Sequence, residues 1–381
     1  PEKLRAVIEE LIEISKKDWQ SFETSWDFGK TPLASMNSHS LQAAFDEWSS
    51  TCLALTNKSK YLEEENNKIF IEEYDLHDEI NPEIEKNEVT LNINPRYRYG
   101  NHESNDIISS RYQADTFVDL VSYSVGCIMG RYSLDREGLV YAHAGNQGFA
   151  ELAADGAYKS FPADDDGILP LTDQEWFSDD ATNRFREFVR TVWAGPEGAT
   201  AQEQSQLLQE NLNFVAASLC LHAIKAKSGE SALDTIRRYL STQFYKDHLK
   251  TYKKRPIYWL FSSGKHKAFE CLVYLHRYNE GTLARMRTEY VIPLTAKLST
   301  YANKLEQDID ASTSTAEKKA LEKQLATLHN QQAELATFDE KLRHHADQRI
   351  SLDLDEGVKV NYGKFGDLLA EVKAVTGDKG D

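Results

Sequence analysis

At 381 residues, with 40% apolar and 10% aromatic side chains, the chain is too long for one ordinary domain and too rich in core-forming residues to be disordered. A net charge of −17 excludes a protein that wraps nucleic acid over its whole surface. No apolar run approaches the roughly 20 residues that cross a bilayer, and no signal-peptide pattern opens the chain, so no membrane partner and a reducing prokaryotic cytoplasm are expected. The start at Pro1, without an initiator Met, reads as a piece of something longer.

Residues 1–20 predict an amphipathic helix through Leu4, Ile8, Leu11 and Ile12. After a loop containing Trp26 and Pro32, residues 39–65 again read as helical. Residues 69–99 predict strand and loop, with Pro82 and Pro95 as breakers and Val89, Leu91 and Ile93 alternating. A helix is expected over residues 115–129, ending at Gly130. A short strand over 139–144 and a surface loop over 150–170 follow, the loop bearing Asp164, Asp165 and Asp166. Thr172 and Glu175 stand at capping-box spacing and predict a helix over 173–193 that stops at Gly195.

Residues 200–252 predict helices broken near Gly229, the second carrying Leu233, Ile236, Leu240 and Phe244 on one stripe. Two apolar runs, 257–261 and 269–276, flank a polar basic tip and predict a hairpin. Past Pro293 the composition turns to Ala, Glu, Lys, Gln and Leu. Leu298, Leu305, Leu321, Leu325, Leu328, Leu335 and Leu342 fall near heptad spacing, with a turn at 311–315 and Ser314 and Glu317 placed to cap the returning helix. The fold expected is α+β and helix-rich: a helical linker over 1–65, a mixed α/β target-recognition-like region over 66–292, and an antiparallel helical hairpin with a tail over 293–381.

The chemistry-bearing motifs are sparse. Asn94–Pro95–Arg96–Tyr97 approaches the Asn-Pro-Pro-aromatic loop of amino-methylating enzymes, but Arg96 replaces the second Pro and no Gly-rich cofactor loop precedes it, so a Pro turn is the plainer reading. Gly145–Asn146–Gln147–Gly148 is too short for a phosphate cradle. Asp164–Asp166 reads as an acidic loop before it reads as a cation site. His344 and His345 point apart on a helix, and Ser122 and Ser124 lack a placeable His/Asp partner. Cys52, Cys127, Cys220 and Cys271 lie far apart among apolar neighbours and predict reduced, buried thiols. No catalytic residue, metal ligand or cofactor site is expected in this stretch.

Charge is segregated along the chain. Residues 61–90 hold eleven acids against Lys68 and Lys86, whereas residues 246–290 hold ten Lys and Arg against four acids. The stretch from Lys254 through Pro256, Tyr258–Trp259–Leu260–Phe261 and Gly264 to Lys265 resembles the PglX (BrxX) family of adenine-specific DNA methyltransferases of type 1 BREX phage-defence systems. Further likeness runs through Phe269, Leu275–His276–Arg277–Tyr278 and Arg287. It extends to residues 21–28, 66–71, 125–135 and 359–366, in order over nearly the whole chain. The resemblance implies a parent enzyme that uses S-adenosylmethionine to methylate adenine N6 and mark host DNA as self. Its catalytic domain would lie before residue 1, and this chain would be the part that reads double-stranded DNA.

A duplex reader needs Lys and Arg for phosphates and a few donors at base edges. Candidates in the basic segment are Lys250, Lys253, Lys254, Arg255, Lys265, Lys267, Arg277, Arg285 and Arg287. Arg285 and Arg287, two apart, diverge on a helix. A second basic-aromatic cluster comprises Arg96, Arg98 and Arg111 with Tyr97, Tyr99, Asn101 and His102, and Arg131 lies nearby. The alternative role for these cations is helix capping and packing on aromatics. The alternative for the chain is an acidic, coiled-coil-bearing scaffold that docks other defence-complex subunits or a phage DNA-mimic inhibitor. An independent nuclease has no carboxylate–Lys metal pattern to support it.

Overall fold

In a computed structural model, residues 2–36, 38–142 and 147–377 are described. The first half is helical: α1 (Glu2–Gln20), α2 (Pro32–Ser35), α3 (Leu41–Tyr74), α4 (Pro95–Tyr99), α5 (Asn105–Ile128) and α6 (Phe149–Ala154) precede strand β1 (Ile168–Pro170). Then come α7 (Ala181–Val192), α8 (Ala201–His222), α9 (Ala232–Tyr239) and α10 (Tyr245–Thr251), the hairpin β2 (Tyr258–Ser262) and β3 (Glu270–Tyr274), and α11 (Thr282–Arg285). The long pair α12 (Ile292–Ala311) and α13 (Thr315–Asp347) leads to the short helices α14 (Gly357–Gly363) and α15 (Val372–Thr376). The protein is therefore α+β and helix-rich, with a three-stranded antiparallel sheet in the order β1-β3-β2.

The sheet forms because 258–261 and 271–274 are apolar on both faces and become buried on both, with Glu270 buried at the start of β3. Tyr258 pairs with Tyr274 and Leu260 with Leu272, while Ile168 pairs with Val273 on the other side of β3. The outer edge of β2 is covered by the C-terminal segment: Ala370 N donates to Leu260 O at 2.8 Å, and Tyr362 and Phe365 pack edge-on against Trp259. One apolar core runs from Val7 to Val375, with the sheet inside it.

The hairpin of helices at 292–347 folds as its heptads predict. Leu298, Leu305, Leu328, Leu335 and Leu342 are buried, and Ser314 Oγ accepts from Glu317 N to cap α13. Two π turns interrupt otherwise continuous helices, Leu240–Phe244 between α9 and α10 and Met286–Val291 between α11 and α12. The second delivers the chain to Pro293, which has no N–H for an ordinary helical bond.

Several expectations need correction. The helix predicted over 39–65 runs on to Tyr74, ending where Asp75 takes a left-handed conformation. Val89, Leu91 and Ile93 are buried in alternation yet form no strand. Buried Asp18 of α1 accepts from Asn92 N, Asn92 Nδ2 and Ile93 N at 2.8–3.0 Å, so a side chain supplies partners that a neighbouring strand would have given. The helix predicted over 115–129 begins ten residues earlier, at Asn105, capped by Ser104.

No strand forms over residues 139–142, and the remainder of that predicted strand lies outside the described residues, as do Gly145 and Asn146. Residues 150–170 are not a surface loop: they hold most of α6, the buried side chains of Phe161 and Asp164, and β1. The helix predicted over 173–193 starts only at Ala181. Thr172 Oγ donates to Gln174 O within a turn, and Asp180 is the true cap, accepting from Asn183 N at 2.9 Å. On α1, Ile8 and Ile12 face outward while Val7 and Ile14 are buried.

Candidate nucleic-acid interface

The basic segment is shaped by the exit from α10. Tyr252 N donates to His248 O and Lys254 N to Leu249 O, closing the helix with Lys253 and Lys254 both in the left-handed region at φ 51° and 61°. A β-carbon there costs about 1 kcal/mol per residue, and Gly is the usual occupant. His248, itself buried, has an Nε2 that accepts from Ile257 N and Tyr258 N at 3.1 and 3.3 Å, fixing the turn to the start of β2. Burial and the nearby Arg131 guanidinium push His248 down to about 3, so it stays a neutral acceptor. Tyr252 Oη donates to Glu23 Oε1 at 2.7 Å, tying the turn to the loop after α1.

Lys250, in the last turn of α10, and Lys253, Lys254 and Arg255, on the turn that follows, therefore stand exposed, and none takes part in a described salt bridge. Asp247, on the same helix as Lys250, edges a cavity of about 310 Å³ walled by Trp19, Phe22, Tyr239 and Phe244 with Glu23, Arg98 and Asp119. Asp119, exposed at the edge of the recess, stands near Asp115, Glu23 and Asp247, with Arg98 opposing their charge. The exposed Lys253–Arg255 turn follows directly on Thr251, which lines this recess.

The structure separates the other candidates. Lys265 is exposed at the hairpin tip, but β2 sets it about 16 Å of strand away from the turn. The tip is fastened to α13: Glu334 accepts from Ser263 Oγ, His266 N and Ala268 N at 2.6–3.1 Å. Lys267 Nζ donates to Ser241 O at 2.7 Å and to Glu270 Oε2 at 2.9 Å. Ser241 lies in the first π turn, so Lys267 satisfies a carbonyl in an interrupted helix. Arg277 donates to Asp164 O and Asp165 O, its guanidinium 3.7 Å from the centroid of the Phe149 ring. Arg287 is bidentate to Asp339, and Arg285 sits 3.7 Å from Glu289.

The second cluster is internally matched as well. Arg98 pairs with Asp115 at 3.1 Å and lies over the rings of Phe22 and Tyr99. Arg111 stacks on Tyr99 at 4.9 Å, and Tyr99 Oη donates to Asp115. Arg96 donates to Asn105 Oδ1 and Glu103 O, while Asn94 caps α4 with Pro95 at its first turn. Asn94–Tyr97 is thus a structural helix start. Arg131 is largely covered beside Glu23, its side chain 12% exposed. Ser122 Oγ donates to Glu23 Oε2, and Asp164 Oδ1 accepts from Asp166 N and Gly167 N, so both are used in the fold.

Sequence reasoning missed Glu23 and Glu334, the two carboxylates that fix the basic turn and the hairpin tip. Both partner sets lie far off in the chain, and no local pattern marks them. Cys52, Cys127 and Cys271 are buried free thiols, and Cys220 is half-buried.

No protein-family profile matches the chain. It is 57% identical over 380 residues to "Adenine-specific methyltransferase BrxX" of Escherichia coli O9:H4 (strain HS), covering 98% of this chain and 30% of that protein. It is 38% identical over 376 residues to "Adenine-specific methyltransferase PglX" of Lacticaseibacillus casei (strain Zhang), covering 97% of this chain and 28% of that protein. Over almost its whole length the chain belongs to the BrxX/PglX family of adenine-specific methyltransferases, and it spans less than a third of the length of these two relatives.

Proposed function

We propose that this chain is the DNA target-recognition portion of an S-adenosylmethionine-dependent adenine-N6 DNA methyltransferase that marks host DNA as self in BREX phage defence. Methyl transfer and cofactor binding belong on this reading to the rest of the enzyme, and no residue here is assigned to them. The observation that carries the DNA-contact part is the exposed turn Lys253–Lys254–Arg255. Three adjacent cations are unpaired on a turn anchored by His248 and Glu23, and two of them adopt a backbone conformation that Gly would hold at less cost. Phosphate contact gives such a turn a use that fold stability does not.

The test is a salt titration of duplex binding by the full-length enzyme, unaltered and carrying Lys253→Ala, Lys254→Ala and Arg255→Ala together. Each lost phosphate contact lowers the slope of log K against log salt by about 0.9, so a drop of about 2–3 is expected. An unchanged slope with unchanged affinity removes the turn from the interface.

A further inference from the structure

Fifteen large apolar side chains are exposed among the described residues, and nine of them fall within the first 80 residues. On α1 they form a stripe. At 100° per residue, Ile8, Ile12 and Trp19 fall within about 40° of one another, roughly 110° from the inward row of Val7, Leu11, Ile14 and Asp18. Their exposures are 41%, 47% and 49%, and Trp26, in the loop that follows, is 95% exposed. Large aromatics left this open on a well-cored protein mark a surface made to be covered.

The charge beside the stripe selects the kind of cover. Residues 1–27 hold seven acids against four cations. Three of those cations are engaged locally, Lys3 with Glu65, Arg5 with Glu9 and Lys16 with Glu13. Trp26 itself stands next to Asp27 and close in sequence to Glu23. Such a face offers phosphate little and suits another protein surface. The chain spans 30% and 28% of its two relatives, so most of a full-length family member lies outside it and needs apolar area to dock against.

We propose that the Ile8–Ile12–Trp19 stripe and Trp26 are the seat on which the remainder of the same polypeptide docks, making this helix the mechanical link between the two parts of the enzyme. The stripe approaches the recess beside the Lys253–Arg255 turn at Trp19, so the experiment separates docking from DNA contact by the condition in which protection arises.

The experiment is hydroxyl-radical footprinting of the full-length enzyme, with and without duplex DNA, read by mass spectrometry at Trp19 and Trp26 against buried Trp48 as an internal reference. Expected is loss of modification at Trp19 and Trp26 without DNA, to the level of Trp48. In the Ile8→Asp, Ile12→Asp enzyme, where only outward positions change, modification at both should return. Protection that appears only when DNA is added overturns the proposal in favour of nucleic-acid contact. Full modification in both conditions, or protection that survives the double substitution, overturns it as well.

Discussion

At the scale of single residues, carboxylates do most of the positioning. Asp18 replaces a strand partner, Asp180 caps α7 and pairs with buried Arg237, Glu23 holds the basic turn and Glu334 holds the hairpin tip. His248 differs because it is a buried neutral imidazole, pushed down to about 3 by burial and by the Arg131 guanidinium. The unfolded chain binds a proton at this group near pH 6.5, so its contribution to stability falls as pH drops from about 6.5 toward 3. His248→Gln removes this slope. Urea midpoints compared at pH 7.5 and pH 5 should show a smaller decline toward acid in the variant than in the unaltered protein, and equal declines would mean that the folded protein protonates the imidazole.

At the scale of elements, the turn after α10 trades backbone ease for charge. Lys253→Gly with Lys254→Gly removes two β-carbons from the left-handed region, about 1 kcal/mol each, against roughly 0.5–1 kcal/mol per residue of added chain freedom when unfolded. Stability by chemical denaturation should hold or rise by up to about 1 kcal/mol, while duplex binding by the full-length enzyme weakens. Loss of stability instead would show that these side chains support the fold. The hairpin tip is held by α13 as well as by its own turn, where Ser263 N donates to Phe269 O at 2.9 Å. Glu334→Ala leaves His266 N and Ala268 N without their acceptor and should cost about 1–3 kcal/mol. Released from α13, the tip should exchange its amide hydrogens faster while the paired β2–β3 amides stay protected.

At the scale of the whole molecule, the sheet is a buried layer in which the β2–β3 hairpin is joined by the distant β1, and the outer edge of β2 is closed by the C-terminal segment. Within a net charge of −17, the exposed Lys253–Arg255 turn lies close to a recess lined by Glu23, Asp119 and Asp247. The apolar stripe on α1 is a face of different chemistry, and it reaches the same recess at Trp19.

The sequence by itself determined the elements whose information is local. The heptads of α12 and α13, the Ser314 cap, the apolar runs of β2 and β3 and the stripe of α9 all folded as their spacing predicts, because burying a periodic face needs only that period. The family is legible in the same way, from motifs in order along the chain. What only the tertiary structure decided is which polar groups are spent inside. Lys267, Arg277, Arg287 and Arg131 look like free cations in sequence, and each meets a carbonyl, ring or carboxylate contributed by another element. Val89–Ile93 reads as a strand, yet Asp18, more than seventy residues away, takes its amides. Hydrogen bonds and ion pairs are short-ranged in space and indifferent to sequence distance, so a cation's availability is fixed only when the chain has closed around it.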